Sequence, residues 1–317
     1  MMIDTLEAVQ LGGITQWIRV RGTDTANPVL LLMQQGPGLP IINDVRRFER
    51  LLALEQAFTV VYWDQRGTGL ALRNPNADVT VGLVVGDTVS LLELLRDRFG
   101  GKTLIAGFSF GATFAAQAAV ARPELVAALV ATGMDIDVPL AETTTYDFVL
   151  DTARRRGNRR AIRQLEAIGP PPHLDAKRFS TRARWALNFG GVRTNANYVD
   201  EVRTLLISLF RSRDYSIPDL VRTFRGMTTT QAALLPDLAT TELVRTLPRL
   251  DIPITLVQGR LDKVAPGEAT QRFYDSLTAP SKRLVWFEKS AHSPHIEEPE
   301  KFREVLMEVR AANSVAQ

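Results

Sequence analysis

The chain has 317 residues, of which 45% are hydrophobic and 23% are charged, a composition typical of a globular protein. Its formal charge of +3 favours neither a nucleic acid nor a membrane surface as a partner. Because the chain has no cysteine, disulfides, a thiol nucleophile and a cysteine-based metal site are excluded.

The first residues, MMIDTLEAVQLGG, carry an acidic side chain where a signal peptide has basic ones. No stretch of the chain approaches the roughly 20 apolar residues that span a bilayer. We therefore expect a cytoplasmic protein. The sequence contains no signal for the oligomeric state.

Strand and helix patterns alternate through residues 1–134. Residues 6–21 contain a Gly12-Gly13 turn, which predicts a β-hairpin. Buried strands are predicted by four continuous apolar runs: PVLLLMQQGPG, FTVVYWDQRGTG, KTLIAGFSFG and LVAALVATGM. Helical patterns separate these runs, so this part of the chain predicts a doubly wound, mostly parallel α/β sheet.

The pattern changes at residue 135. Residues 135–250 are mostly helical in pattern, rich in arginine and free of buried strand runs. The strand pattern returns in PITLVQGRLD and KRLVWFEKSAH. We therefore predict one α/β core in two parts, residues 1–134 and 251–317, with residues 135–250 inserted as a helical cap.

A serine between glycines follows the third apolar run. The segment GFSFG, residues 107–111, lies between a buried strand and a small-residue helix, which is the context of a nucleophile elbow. The tight turn strains the serine backbone, and the N-terminus of the following helix contributes a positive dipole end. We predict Ser109 as a nucleophile, and the alternative is a structural serine in a strand–helix turn.

A serine hydroxyl needs a base, and the chain has three histidines. His292 follows the last predicted strand, where this type of sheet brings a histidine over the serine, so we predict it as the base. His173 follows three prolines and is interpreted as a loop residue. His295 is interpreted as a residue that caps or lines the next helix.

The histidine needs an acid that fixes its tautomer and stabilises the imidazolium. Asp262 stands at the end of the strand before the histidine's strand, and we predict it in this role. The alternatives are Asp135 and Asp137, which follow the strand after the elbow helix.

An oxyanion intermediate needs preorganised donors. We predict the backbone N–H of Phe110, directly after the nucleophile, as one donor. The turn QQGPG at residues 34–38 provides the other, which we place at Gly36 because glycine lets the backbone bend toward a substrate.

The motifs QQGPGLP, DQRGTGLA, GFSFG, GRLDKVAP and SAHSPHIEEP together resemble the proline iminopeptidase branch of the α/β-hydrolase superfamily. The resemblance covers both halves of the predicted core and hardly reaches the cap. It implies the α/β-hydrolase fold and gives the same roles to Ser109, Asp262, His292, Gly36 and Phe110.

The match also covers the DQRG turn, in which we interpret Asp64 and Arg66 as a structural pair that braces the site. The chain departs from this branch in the oxyanion turn, where two glutamines replace histidine and glycine, and in the cap, where RARWALN replaces W-x-x-W-E. We predict Gln35, Phe108 and Trp185 as residues that contact the substrate.

These residues favour a serine hydrolase that cleaves an ester, lactone or amide, in a small molecule or a peptide, through an acyl-enzyme. No metal or organic cofactor is expected. The alternative is an aminopeptidase for N-terminal proline. A non-hydrolytic binding protein on the same scaffold is a further alternative, and a C–C bond hydrolase or acyltransferase would use the same triad.

Overall fold

The computed structural model describes residues 1–74 and 77–314. In this part of the chain eight strands form one sheet in the order β1-β2-β4-β3-β5-β6-β7-β8. The strands are β1 (Ile3–Leu11), β2 (Ile14–Gly22), β3 (Val29–Met33), β4 (Thr59–Asp64), β5 (Thr103–Phe108), β6 (Val126–Thr132), β7 (Ile254–Gly259) and β8 (Lys282–Phe287). Strands β3 to β8 pair in parallel, while β2 is antiparallel to both β1 and β4. The predicted mostly parallel sheet is confirmed.

Helices connect the strands and cover both faces of the sheet. They are α1 (Val45–Leu52), α2 (Val81–Phe99), α3 (Phe110–Ala121), α4 (Val138–Arg155), α5 (Arg159–Ile168), α6 (Ala176–Asn188), α7 (Tyr198–Arg211), α8 (Ile217–Leu238), α9 (Leu243–Thr246), α10 (Gly267–Ser276), α11 (Pro294–Glu297) and α12 (Pro299–Ser314). Because strand and helix alternate along the sequence, the parallel strands are joined by helical crossovers.

The two faces of the sheet each have their own hydrophobic core. Along β3, Leu31 packs with α2 and α3 on one face, whereas Leu30 and Leu32 pack with α1 and α12 on the other. This alternation follows from the two-residue period of a strand. It also explains why the sequences of the central strands β3 to β7 are almost continuous apolar runs, since neither face of these strands meets water.

The hairpin at the start of the sheet is confirmed. Strands β1 and β2 pair antiparallel, and Gly12 and Gly13 form the two-residue connection between Leu11 and Ile14. Both glycines have positive φ, 51° and 79°, which a primed hairpin turn requires and which glycine adopts without steric cost.

Six helices, α4 to α9, lie between β6 and β7. Several of their apolar side chains form a separate small core that includes Tyr146, Val149, Leu165, Trp185 and Phe189. The division of the chain at residues 135 and 250 into a core and a cap stays a prediction. Across residues 1–74 and 77–314, none of the helices combines the length and hydrophobicity needed to cross a membrane.

Candidate active site

The carboxyl ends of the parallel strands meet at one edge of the sheet, as open α/β sheets require. Ser109 follows β5, Asp135 follows β6, Asp262 follows β7 and His292 follows β8. The loops after these four strands bring the four side chains into one hydrogen-bonded group.

Ser109 occupies a strained turn between β5 and α3. Its φ is 53° and its ψ is −129°, and within the described residues Ser109 and Ala53 are the two non-glycine residues with positive φ. Such a conformation costs about 1–3 kcal/mol. The glycine two residues before the serine permits the turn, since a Cβ on Gly107 would lie 2.5 Å from the Cα of Ala112. The local geometry is that of a nucleophile elbow.

His292 bridges Ser109 and Asp262. Its Nε2 lies 3.0 Å from the Oγ of Ser109, and its Nδ1 lies 2.8 Å from Oδ2 of Asp262. The other oxygen of Asp262, Oδ1, accepts the backbone N–H groups of Val264 and Ala265 at 2.7 and 2.9 Å. These two bonds fix the carboxylate, so that Oδ2, which also accepts the side-chain amide of Gln258 at 3.3 Å, points at the imidazole.

Electrostatic interactions favour the protonated form of His292. Burial by itself lowers the pKa of His292, but the charge and hydrogen bond of Asp262, with added contributions from Asp135 and Glu297, outweigh it and raise the pKa from 6.5 to about 9. The imidazole ring is buried, with the whole residue 7% exposed. A neutral imidazole, the form that accepts a proton, is therefore favoured at alkaline pH.

The second acid at this edge, Asp135, contacts the serine rather than the histidine. The hydroxyl of Ser109 donates to Oδ2 of Asp135 across 2.8 Å. Burial raises the pKa of Asp135 to about 6, although the charge of His292 and the bond from Ser109 act in the opposite direction. The sequence predicts Asp135 as an alternative acid for the histidine and does not predict its contact with the serine. The signal for that contact is its position after β6, the neighbour in the sheet of the strand that precedes Ser109.

Asp137, the other alternative acid, begins a helix. Its Oδ1 accepts the backbone N–H of Leu140 at 3.0 Å, which caps the N-terminus of α4. Its Oδ2 lies 3.7 Å from a guanidinium nitrogen of Arg272. These contacts account for Asp137 without a part in the serine site.

The turn at residues 34–38 and the start of α3 line one small cavity. Gly36, Phe110 and Gln35 all border it, together with the helix α8 residues Thr230 and Leu234. Helix α8 packs directly on the turn, since a Cβ on Gly38 would lie 3.1 Å from the carbonyl oxygen of Met227. Gly36 and Phe110, the residues of the two predicted oxyanion donors, therefore border the same cavity as helix α8.

The predicted pairing of Asp64 with Arg66 is wrong, because each residue has other partners. Asp64 accepts the backbone N–H groups of Ile41, Ile42 and Leu70, and it also accepts the hydroxyl of Tyr215.

Arg66 donates to both carboxylate oxygens of Asp87 on α2, at 2.7 and 3.0 Å, and to the carbonyl oxygen of Gly12 in the hairpin. The DQRG turn thus braces two separate regions: Asp64 fixes the loop before α1, and Arg66 joins the hairpin to α2.

Two of the three predicted substrate contacts, Phe108 and Trp185, do not border the cavity at residues 34–38. Phe108 is at the end of β5, and the centre of its ring lies 4.1 Å from the ring centre of His295. The side chain is buried in the hydrophobic core next to α12, away from the cavity in which we expected the substrate. Trp185 stacks on Phe189 and donates to Gln164 within the helical segment. Its contact with a substrate stays a prediction.

The remaining histidines have structural surroundings. His295 packs between aromatic rings, including that of Phe48. His173 lies in the loop between α5 and α6, as expected; it is fully buried there, and its Nε2 lies 2.9 Å from the carbonyl oxygen of Gly169.

Comparison with known proteins gives one family match and several similar chains. The model of the Alpha/beta hydrolase family matches residues 38–305. A probable aminopeptidase of Bacillus subtilis, YbaC, is 28% identical over 308 residues, which cover 96% of this chain and 95% of that protein.

Many solved structures resemble the fold, and two of them are named for proline iminopeptidases or a related protein. The proline iminopeptidase of Mycobacterium smegmatis superposes with a TM-score of 0.68 at 20% identity, covering 98% of this chain and 99% of that one. A proline iminopeptidase-related protein from Thermus thermophilus has a TM-score of 0.66 at 20% identity, and each chain is covered completely. At this identity the two likenesses show the fold.

Proposed function

We propose, because the chain belongs to the alpha/beta hydrolase family, that this hydrolase acts through Ser109 as nucleophile and forms an acyl-enzyme. The observation that carries the proposal is the continuous series of contacts from Ser109 through His292 to Asp262, at 3.0 and 2.8 Å. These are hydrogen-bonding distances, and the acid, base and nucleophile stand in the order that proton transfer requires.

In the first half-reaction, Oγ of Ser109 attacks the carbonyl carbon of the substrate while its proton passes to Nε2 of His292. The imidazolium then gives that proton to the leaving oxygen or nitrogen as the carbon–heteroatom bond breaks. Asp262 holds Nδ1–H, which keeps Nε2 free to accept the proton.

The second half-reaction hydrolyses the acyl-enzyme. A water gives a proton to Nε2 and attacks the acyl carbon, and the proton returns to Oγ of Ser109 as the ester bond breaks. We propose the N–H groups of Gly36 and Phe110 as donors to the oxyanion in both steps. Their shared border on one cavity supports this assignment.

The proposed substrate is an ester, lactone or amide of a small molecule, and helix α8 with the rest of residues 135–250 would act as a cap over the cavity. The packing of α8 on the turn at residues 34–38 supports this role for the helical segment. A second candidate is an aminopeptidase acting on N-terminal proline, which the similarity to a probable aminopeptidase over 96% of this chain favours.

The test combines covalent labelling with turnover. Wild-type protein is treated with a fluorophosphonate probe and assayed with short and medium p-nitrophenyl esters and with proline p-nitroanilide. We expect labelling and hydrolysis in the wild type, and loss of both in Ser109→Ala. Ser276→Ala, a change of an exposed serine on α10, serves as the matched control and is expected to keep both.

The outcomes separate the candidates. Ester turnover without proline release supports the small-molecule hydrolase, and rapid proline release supports the aminopeptidase. A wild-type protein that neither reacts with the probe nor hydrolyses any substrate would contradict the serine mechanism and favour a binding protein.

A further inference from the structure

Asp135 is a carboxylate beside the nucleophile that the acyl-transfer steps above do not use. It accepts the Ser109 hydroxyl at 2.8 Å and is 4% exposed. Within residues 1–74 and 77–314, no lysine or arginine forms an ion pair with it. The guanidinium whose charge acts on it, that of Arg182, is already paired with Glu142 at 2.6 Å.

A buried carboxylate is unfavourable unless it is paired, and the cation that acts most strongly on Asp135 is the imidazolium of His292, the group that must become neutral to act as a base. Oδ1 of Asp135 accepts no hydrogen bond from the described residues, so the group retains capacity for a further one. Its position directly beside Oγ of Ser109 means that any group bound to it lies next to the carbonyl carbon that the serine attacks.

An ionised Asp135 opposes the reaction of a neutral substrate in two ways. The serine hydroxyl has one proton, and when it is donated to Asp135 it is not donated to His292. In addition, the negative charge of Asp135 helps to keep His292 protonated, as do those of Asp262 and Glu297, whereas a general base must be neutral.

We propose that Asp135 binds a protonated amine of the substrate, carried on the atom next to the scissile carbonyl, and that this ion pair makes Ser109 and His292 competent for attack. The inference rests on the proposed function and names its substrate class as α-amino acyl esters and amides. In such a substrate one atom separates the amine from the carbonyl carbon, which brings the ammonium within reach of a carboxylate that touches Oγ.

The proton balance is complete without a further reactant. The ammonium donates hydrogen bonds to Asp135 and offsets its charge, which lowers the pKa of His292, so a larger fraction of His292 has released its proton to solvent before the chemical step. The Ser109 proton then passes to Nε2 as the Oγ–carbon bond forms, and from Nε2 to the leaving group. Asp262 remains ionised throughout, because its role toward Nδ1 is unchanged.

The experiment compares substrates that differ in a single charge. L-proline methyl ester is paired with methyl cyclopentanecarboxylate, and L-alanine methyl ester with methyl isobutyrate, because each pair replaces the amine by a carbon group of similar size. Acid release is followed in a pH-stat. We expect kcat/KM at neutral pH to be roughly 10- to 100-fold higher for the amino esters, the range that a charge-assisted hydrogen bond supports.

The variant Asp135→Asn keeps the shape and removes the charge. We expect it to lose most of the preference for the amino ester. For the neutral ester, the acid limb of its pH profile should move to lower pH, because one of the carboxylates that favour imidazolium is gone. The matched control Asp137→Asn removes a nearby carboxylate that does not contact Ser109, and it should keep both the preference and the pH profile.

Equal kcat/KM for charged and neutral esters in a protein whose Ser109 reacts with fluorophosphonate would overturn the role of Asp135 while leaving the serine mechanism intact. Retention of the preference in Asp135→Asn would overturn it as well. Absence of both labelling and hydrolysis would contradict the serine mechanism and the amine site together. If Asp135→Asn fails to fold, as judged by circular dichroism, the wild-type kcat/KM values for the two ester pairs still test whether a substrate amine is recognised.

Discussion

Gly111, the second residue of α3, marks the closest approach of the elbow helix to the oxyanion turn. A Cβ added here would lie 2.6 Å from the carbonyl oxygen of Met33 and closer still to that of Gln34. Both obstructing atoms belong to the backbone, so no side chain can rotate away. In Gly111→Ala, either α3 or the turn at residues 34–38 must move.

The expected loss of stability follows from this contact. Overpacking costs about 1–3 kcal/mol, and a backbone obstruction places this site at the upper end of the range. The better helix propensity of alanine offsets at most about 1 kcal/mol. At about 2.1 cal/mol/K of unfolding entropy per residue, a net loss of about 2 kcal/mol corresponds to a fall in Tm of about 3 °C for a chain of this length. Ester hydrolysis should fall too, because the displaced turn includes the proposed donor Gly36.

Thermal unfolding by circular dichroism and p-nitrophenyl ester turnover measure the two effects. Gly86→Ala is the matched control, since it lies on an exposed part of α2 and an added Cβ meets no described atom within 4 Å. It should raise stability by about 0.5–1 kcal/mol and leave turnover unchanged. A Gly111→Ala protein with the Tm and turnover of the wild type would refute the reasoning from close packing.

Three further predictions follow from the site and its supports. Asp262→Asn should lower kcat for ester hydrolysis by about 10⁴-fold with little change in Tm, because the imidazole loses its orienting carboxylate, and a fall below tenfold would contradict this role. Because the pKa of His292 is raised to about 9 and only the neutral ring accepts a proton, kcat/KM for a neutral ester should decline as the pH falls below about 9; an acid limb near 6.5 would contradict the assigned electrostatics. Arg66→Met should destabilise the fold by about 3–5 kcal/mol in urea unfolding, because Asp87 remains buried without its cation. Arg96→Met, which removes an exposed pair, should cost less than about 1 kcal/mol, and similar losses in both variants would show that burial of the first pair is unimportant.

Much of the fold could be predicted because its signals are local. The runs VLLLM and TVVYWD are apolar throughout, since parallel strands between two helical layers are buried on both faces. The hairpin turn required two residues with positive φ, which Gly12 and Gly13 provide. The elbow needs a serine in a strained turn and glycines that permit close packing around it. The order of these residue types in the segment 107–111 was therefore enough to predict the elbow.

The sequence by itself also determined that Ser109, Asp135, Asp262 and His292 follow four strands of one parallel sheet, and parallel strands end at a common edge. Which acid faces the histidine was decided only by the tertiary structure. Both acids occupy equivalent sequence positions, but loop conformation sets the direction of each carboxylate. The backbone N–H groups of Val264 and Ala265 hold the carboxylate of Asp262 toward His292. The carboxylate of Asp135 instead accepts the hydroxyl of Ser109.

The same reason explains the error at the DQRG turn. Two opposite charges that stand two residues apart in a turn are expected to form an ion pair with each other. Arg66 instead pairs with Asp87 on α2, 21 residues further along the chain. Short-range patterns follow from backbone periodicity and steric limits, which each segment carries with it. Contacts between buried charges depend on which segments the folded sheet brings together, and that information exists only in three dimensions.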